Sequence, residues 1–145
     1  MTTIEFWNLI VDSVATLLAA AAILIYVIFW FRDKTTNSYD VFDATYMELL
    51  KIAMDNPSFR NPEMTQDYET AFSGDQKIRY ELYAFMCWNF CETIFDKQDK
   101  ELMKTWSVII ESESKLHLVW FTNPENNNKF KRSFKEYILK LLDNN

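Results

Sequence analysis

The chain holds one glycine, three prolines, two cysteines and one histidine in 145 residues, and no lysine or arginine precedes Arg32. Each scarcity excludes something. Phosphate-cradling loops use several glycines so that the backbone can come close to the anion, so P-loop and dinucleotide-binding folds are excluded. Sheet proteins of this size need turn glycines, which points instead to an all-α fold. His117 stands alone, and no Cys or His cluster has the spacing of a zinc site. Cys87 and Cys91 lie one helical turn apart, too far for an unstrained disulfide, and read as small buried thiols of a reducing compartment. A dyad of either cysteine with His117 lacks any nucleophile elbow or glycine-bearing turn. Glu92 with Asp96, and Glu111 with Glu113, read as solvated charge, because no carboxylate–histidine motif accompanies them. The sequence gives no cofactor motif, and no enzymatic activity is expected.

Basic excess is also missing. The formal charge is −6, with 15 Lys and Arg against 21 Asp and Glu, which makes nucleic acid a poor partner. The acids concentrate in residues 40–75, whereas residues 123–145 carry more bases than acids.

What the chain does have is a long apolar run. Residues 9–31 contain one charge, Asp12, and as a helix they rise about 35 Å, enough to cross a hydrocarbon core of about 30 Å. The run reads as one N-terminal transmembrane helix. A cleaved signal would need a basic start, which residues 1–8 lack, and a soluble fold would need a larger core to bury an all-round apolar rod. Arg32 and Lys34 follow the run while Glu5 precedes it, so the N-terminus is expected outside and the rest in the cytoplasm. Phe6 and Trp7 would mark the outer interface, and Tyr26, Trp30 and Phe31 the inner one. Ala15, Ala19 and Ala22 share a face, a small-residue ridge suited to packing between transmembrane helices and so to a homo-oligomer.

The expected organisation is then an extracytoplasmic N-terminus over 1–8, the span over 9–31, a polar linker over 32–37 and a cytosolic helical domain over 38–145. Phe42, Tyr46, Leu49, Leu50 and Ala53 recur at helical spacing and predict a helix over 39–54. All three prolines follow asparagine, and Asn61-Pro62-Glu63 and Asn123-Pro124-Glu125 read as helix starts with a cap, a proline in the first turn and an acid at the positive end. The first opens a short helix closed near Gly74, a residue suited to the left-handed conformation.

Residues 76–95 predict the longest helix of the domain, apolar on two sides: Ile78, Leu82, Phe85, Met86 and Phe90 on one, Tyr80, Tyr83, Cys87, Cys91 and Ile94 on the other. Such a helix belongs in the middle of a bundle. Asp99 caps a further helix bearing Leu102, Trp106, Ile109 and Ile110, and a break is expected near Glu113, which would otherwise fall on the apolar stripe. Residues 116–121 are too few to distinguish helix from strand. A last helix over 123–142 turns Phe130, Phe134, Tyr137, Ile138 and Leu141 inward. The sum is one irregular bundle of five or six helices.

Two candidate sites follow. Trp88, Asn89, Glu92, Trp106, His117 and Trp120 would line a small-ligand pocket if Glu92 is buried, the bland alternative being a buried polar network that fixes helix register. Lys131, Arg132 and Lys135 would meet lipid headgroups or an acidic partner. The function expected is a non-enzymatic single-pass membrane protein whose partners are the lipid bilayer and a membrane protein or a second copy of itself. The alternative is a membrane effector of stress or defence type, whose cytosolic domain senses a small molecule and rearranges the transmembrane helices.

Overall fold

A chain with no proline before residue 57 and no glycine before residue 74 has little to interrupt a helix in its first third. The first element of the computed structural model is accordingly long: α1 runs Thr3–Asp55. The backbone is described over residues 3–143 and the side chains over 14–30 and 39–143. All secondary structure among the described residues is helical, with no strand. The chain divides into two compact units, Met1–Val41 and Phe42–Asn145.

In the first unit, every side chain described over residues 14–30 is exposed, including Leu17, Leu18, Ile23, Leu24, Tyr26 and Phe29. Ala15, Ala19 and Ala22 are among them. Among the described residues no helix is long and apolar enough to cross a membrane. The apolar side chains described there cover about 26 Å of helix against a hydrocarbon core of about 30 Å. The rest of the expected span, residues 9–13 and Phe31, lies outside the described side chains, as do Glu5, Phe6, Trp7, Asp12, Arg32 and Lys34. The linker expected over 32–37 falls within α1, because its residues include no breaker.

The second unit begins within α1, whose Phe42, Leu49 and Ala53 are buried as their spacing predicts. Asn56-Pro57 ends it, and a single 3-10 turn follows at Pro57–Arg60. The short helix expected next is two: α2 at Pro62–Gln66 and α3 at Tyr68–Ala71. Asn61 caps α2 by accepting from the Glu63 amide at 3.0 Å. Gly74 has φ +55°, the left-handed value that favours glycine, at the turn between α3 and α4. Helix α4 spans Gly74–Lys97 and α5 spans Lys100–Leu116, the latter capped by Asp99, which accepts from Glu101 and Leu102 amides.

Residues 116–121 resolve as helix: α6 is Leu118–Thr122. The single last helix expected is interrupted. Asn123 caps a short α7, Pro124–Asn127, and α8 begins only at Arg132 and runs to Asp143. The interruption falls after Asn126, Asn127 and Asn128, weak helix formers that compete with the backbone for hydrogen bonds. Phe130 is tucked into the core there. The count of five or six helices is therefore corrected to nine helical segments among the described residues, because prolines and asparagines cut the connections into single turns.

The core is aromatic. Trp88 stacks on Phe121 at 3.9 Å between ring centroids, and Phe72 on Tyr80 at 4.6 Å. Trp106 meets Phe42, Tyr46 and Phe90 edge-on. Helix α4 packs against α5 and α6, but not on all sides. Tyr80, Tyr83, Ala84, Cys87, Trp88, Phe90, Cys91 and Ile94 are buried, whereas Ile78 is 57% exposed and Leu82 59%, with Phe85 and Met86 beside them also exposed. The expectation that α4 is enclosed is corrected in that respect: one of its two apolar faces lies on the surface of the unit.

Candidate functional site

The break expected near Glu113 does not occur. Helix α5 continues through Glu113 to Leu116, and the carboxylate is carried into the core, 1% exposed. A buried carboxylate must find donors, and this one has two. Its Oε1 accepts from the Tyr46 hydroxyl at 2.9 Å and forms an ion pair with Arg60 Nη1 at 2.8 Å, while Oε2 accepts a hydrogen bond from the same nitrogen at 3.1 Å. Arg60 also donates to the Tyr83 hydroxyl at 3.3 Å. The 3-10 turn delivers Arg60 from one side, α1 delivers Tyr46 from another, and α4 supplies Tyr83. Burial opposes the Arg60 charge, yet Glu113 outweighs it and the guanidinium's pKa moves up. Tyr46 is pushed up to about 12, first by burial and then by the Glu113 charge.

His117 follows Glu113 by one turn at the C-terminus of α5 and is completely buried. Its Nδ1 lies 3.2 Å from the Tyr80 hydroxyl, and its backbone carbonyl accepts from Trp88 Nε1 at 3.2 Å. Its Nε2 has no hydrogen-bond partner and lies 3.7 Å from Glu113 Oε2. Burial, with the Arg60 charge second, lowers the imidazole pKa from 6.5 to about 3, so the ring is neutral at ordinary pH. Cys87, on the facing surface of α4, completes the group: its sulfur, a Glu113 oxygen and a His117 nitrogen all lie within 4.8 Å of one another. Burial and then Glu113 raise the Cys87 thiol well above its usual range, and burial does the same for Cys91. Cys87 is therefore a thiol beside a neutral imidazole, the reverse of the thiolate–imidazolium pair that nucleophilic cysteines use.

The six residues expected to line a pocket do not gather in one place. Trp88 and Trp120 are buried in one aromatic group that shares Phe130, and Trp106 in another with Phe42, Tyr46 and Phe90. Asn89 is exposed. Glu92 is half-buried and accepts from the Lys131 amide at 2.8 Å, just before α8, so it caps a helix rather than facing a cavity. Of the six, His117 joins the polar group and Trp88 bonds to its backbone carbonyl, and the group's carboxylate is Glu113 and not Glu92. The missed members, Arg60, Tyr46 and Tyr80, carried no local signal. Glu113 did carry one, a charge on an apolar stripe, which predicts a buried partner as readily as a break.

Just before α8 Lys131 pairs with Asp96, and on α8 Arg132 pairs with Glu136 at 2.8 Å, while Lys135 is half-buried. Two of the three cations therefore already have a carboxylate in the domain. Open grooves flank the exposed face of α4: one of about 300 Å³ lined by Ile78, Leu82, Phe85, Trp120 and Lys129, and one of about 280 Å³ that includes Phe59, Leu82 and Met86. Lys129 lies over the Trp120 ring at 5.3 Å. A third groove, about 350 Å³, is lined by Arg60, Gln66, Ser112 and Lys115. Comparison of the chain with protein families, with characterised proteins and with solved structures finds no match.

Proposed function

We propose that the protein is a single-pass membrane protein without catalytic chemistry, whose Phe42–Asn145 unit mediates protein interaction or assembly at the cytoplasmic face. The observation that carries this reading is the surface of α1 over residues 14–30, apolar and exposed around the whole helix. Residues 9–13 and Phe31 extend the same apolar run in sequence to a length that can span. The exposed face of α4 supplies the interaction surface, and the ridge of Ala15, Ala19 and Ala22 suits helix–helix contact in lipid. The inert state of Cys87 beside a neutral His117 favours a binding role over an enzymatic one.

The test is fractionation. Membranes from expressing cells should retain the chain through alkaline carbonate washing, and Leu24→Arg, which adds about 2.5–3.5 kcal/mol to insertion, should release a large fraction. Wild-type chain recovered dispersed in the supernatant of a detergent-free lysate would overturn the reading.

A second reading, a membrane effector that responds to a small molecule, is favoured by one feature. The groove beside Arg60 and Lys115 opens onto the buried ion pair, so an anion seated there would compete with Glu113 for the guanidinium. Growth arrest on overexpression, abolished by Lys115→Glu in a chain that still folds, would support it. Unchanged growth would remove it.

A further inference from the structure

Three donors of one buried group lie within 4.8 Å of one another. Cys87 Sγ comes from α4, and Glu113 and His117 come from successive turns of α5, the i, i+4 spacing at which a helix presents two ligands to one point. The polar accounting is complete for most of the group and fails at one atom: His117 Nε2 is fully buried, points at this cluster and has no partner. Leaving a buried ring nitrogen unsatisfied costs free energy, and an unsatisfied polar atom in a core asks for an explanation.

We propose that Cys87, Glu113 and His117 form a binding site for a divalent zinc ion. The donor set is one thiolate, one imidazole and one carboxylate, a mixture that suits a borderline ion and is unsuited to calcium or magnesium, which take oxygen ligands. The distances fit with small movements. Zinc bonds of about 2.0–2.3 Å at tetrahedral angles place neighbouring ligand atoms roughly 3.4–3.6 Å apart. His117 Nε2 and Glu113 Oε2 are already 3.7 Å apart, and the sulfur needs to approach by about 1 Å from the 4.8 Å limit of the group.

The surroundings are arranged as a zinc histidine requires. Metal binding through Nε2 needs the proton on Nδ1, and the Tyr80 hydroxyl, 3.2 Å from Nδ1, is able to accept it and holds the ring's orientation. Trp88 holds the His117 carbonyl, which pins the backbone at the end of α5. Glu113 Oε1 accepts from Tyr46 and is paired with Arg60, while Oε2 lies toward the histidine and also accepts from Arg60 at 3.1 Å, a bond that zinc would have to share. Arg60 is the opposing influence. Its side chain is 29% exposed, so its charge is partly carried by water rather than sealed in with the ion. Binding exchanges one proton: the Cys87 S–H bond breaks, sulfur bonds to zinc, and the proton leaves to solvent. The three protein donors leave a fourth position for a water molecule.

The proposal does not rest on membrane insertion. The full chain, purified in mild detergent and stripped with chelator, is titrated with zinc chloride and, separately, with cobalt chloride. One zinc per chain by elemental analysis, a rise of several degrees in the melting temperature and a thiolate-to-cobalt charge-transfer band in the near ultraviolet are expected. Cys87→Ser and His117→Gln should abolish the band, whereas Cys91→Ser, one turn away and outside the group, should keep it. Should either ligand variant fail to fold, the wild-type protein supplies the second measurement: zinc binding in weakly buffered solution should release about one proton per chain, the one lost from the Cys87 thiol. A folded wild type that shows neither band nor melting shift, a band surviving in Cys87→Ser, or zinc binding without release of a proton would overturn the assignment.

Discussion

Replacing Arg60 with methionine isolates the electrostatics of the buried pair. Methionine keeps much of the arginine's apolar stem and removes both the donor to Oε2 and the positive charge beside Oε1 of a carboxylate 1% exposed. Glu113 is then left with Tyr46 as its remaining hydrogen-bond donor at 2.9 Å. Stranding a buried charge in this way costs about 3–5 kcal/mol. Glu113→Gln is a gentler change, since the guanidinium left behind can turn to the solvent it already touches; about 1–2 kcal/mol is expected. The double variant removes both charges and should lose less than Arg60→Met alone, giving a coupling of about 2–3 kcal/mol. Thermal unfolding of the detergent-solubilised chain, followed by circular dichroism, reads the result. Arg60→Met should lower the melting temperature by about 12 °C or more, since about 4–8 °C accompanies each kcal/mol in a unit of this size. Additive losses, with the double variant falling by the sum of the two singles, would refute the claim that the pair acts as a unit.

The remaining predictions test neighbouring links. With chelator present, His117 stays neutral in the folded chain down to about pH 3 but gains a proton near 6.5 when unfolded, so the unfolded state binds more protons between those values. Stability is therefore retained above pH 6.5 and lost as the pH falls toward 3, by about 2 kcal/mol at pH 5; His117→Gln should flatten that part of the slope, and an unchanged slope rejects it. Cys87 and Cys91 should resist alkylation in native buffer and react once denaturant unfolds the chain, because burial holds both as thiols. Glu92→Ala should cost about 1 kcal/mol through the lost contact at the start of α8 and leave cobalt binding unchanged. Phe134→Ala, at a fully buried site packed against Trp88 and Phe95, should cost about 3–5 kcal/mol.

How far the chain could be read in advance depends on how local each signal is. Caps are local: Asn61, Asp99 and Asn123 bond to amides two residues ahead, so the helix starts at Pro62, Lys100 and Pro124 were legible. So was the left-handed Gly74. The inward faces of α1 beyond Phe42 and of α8 followed from periodicity alone. The polar group was not legible, because Tyr46 and Glu113 are 67 positions apart and Arg60 and Glu113 are 53 apart. Periodicity flagged Glu113 as anomalous, and the anomaly was resolved by a distant arginine rather than by a bend. Glu92 misled for the complementary reason: its place among Trp88, Phe90 and Cys91 suggested burial, but a helix turns 100° per residue and sets it at the edge, where it meets α8.

The exposed face of α4 bears on the proposed membrane assembly through its magnitude. Ile78, Leu82, Phe85 and Met86 are each about half exposed, so covering all four contributes roughly 3–6 kcal/mol at 1.5–3 kcal/mol for a side chain buried from full exposure. Association costs at least about 4 kcal/mol in lost translational and rotational freedom, which consumes most of that gain. A face of this size is therefore too weak to hold two molecules together in dilute solution. Confinement to a bilayer raises the effective concentration of any partner held in the same plane, and a weak face then becomes sufficient. Short-spacer crosslinking should accordingly trap assemblies of the full chain in membranes and lose them on dilution into excess detergent micelles. Leu82→Glu should abolish the membrane product with a stability change within about 0.5 kcal/mol, as befits a surface position. Crosslinking that survives both dilution and Leu82→Glu would show that assembly runs through another surface, with the alanine ridge of α1 the next to be tested by Ala19→Leu.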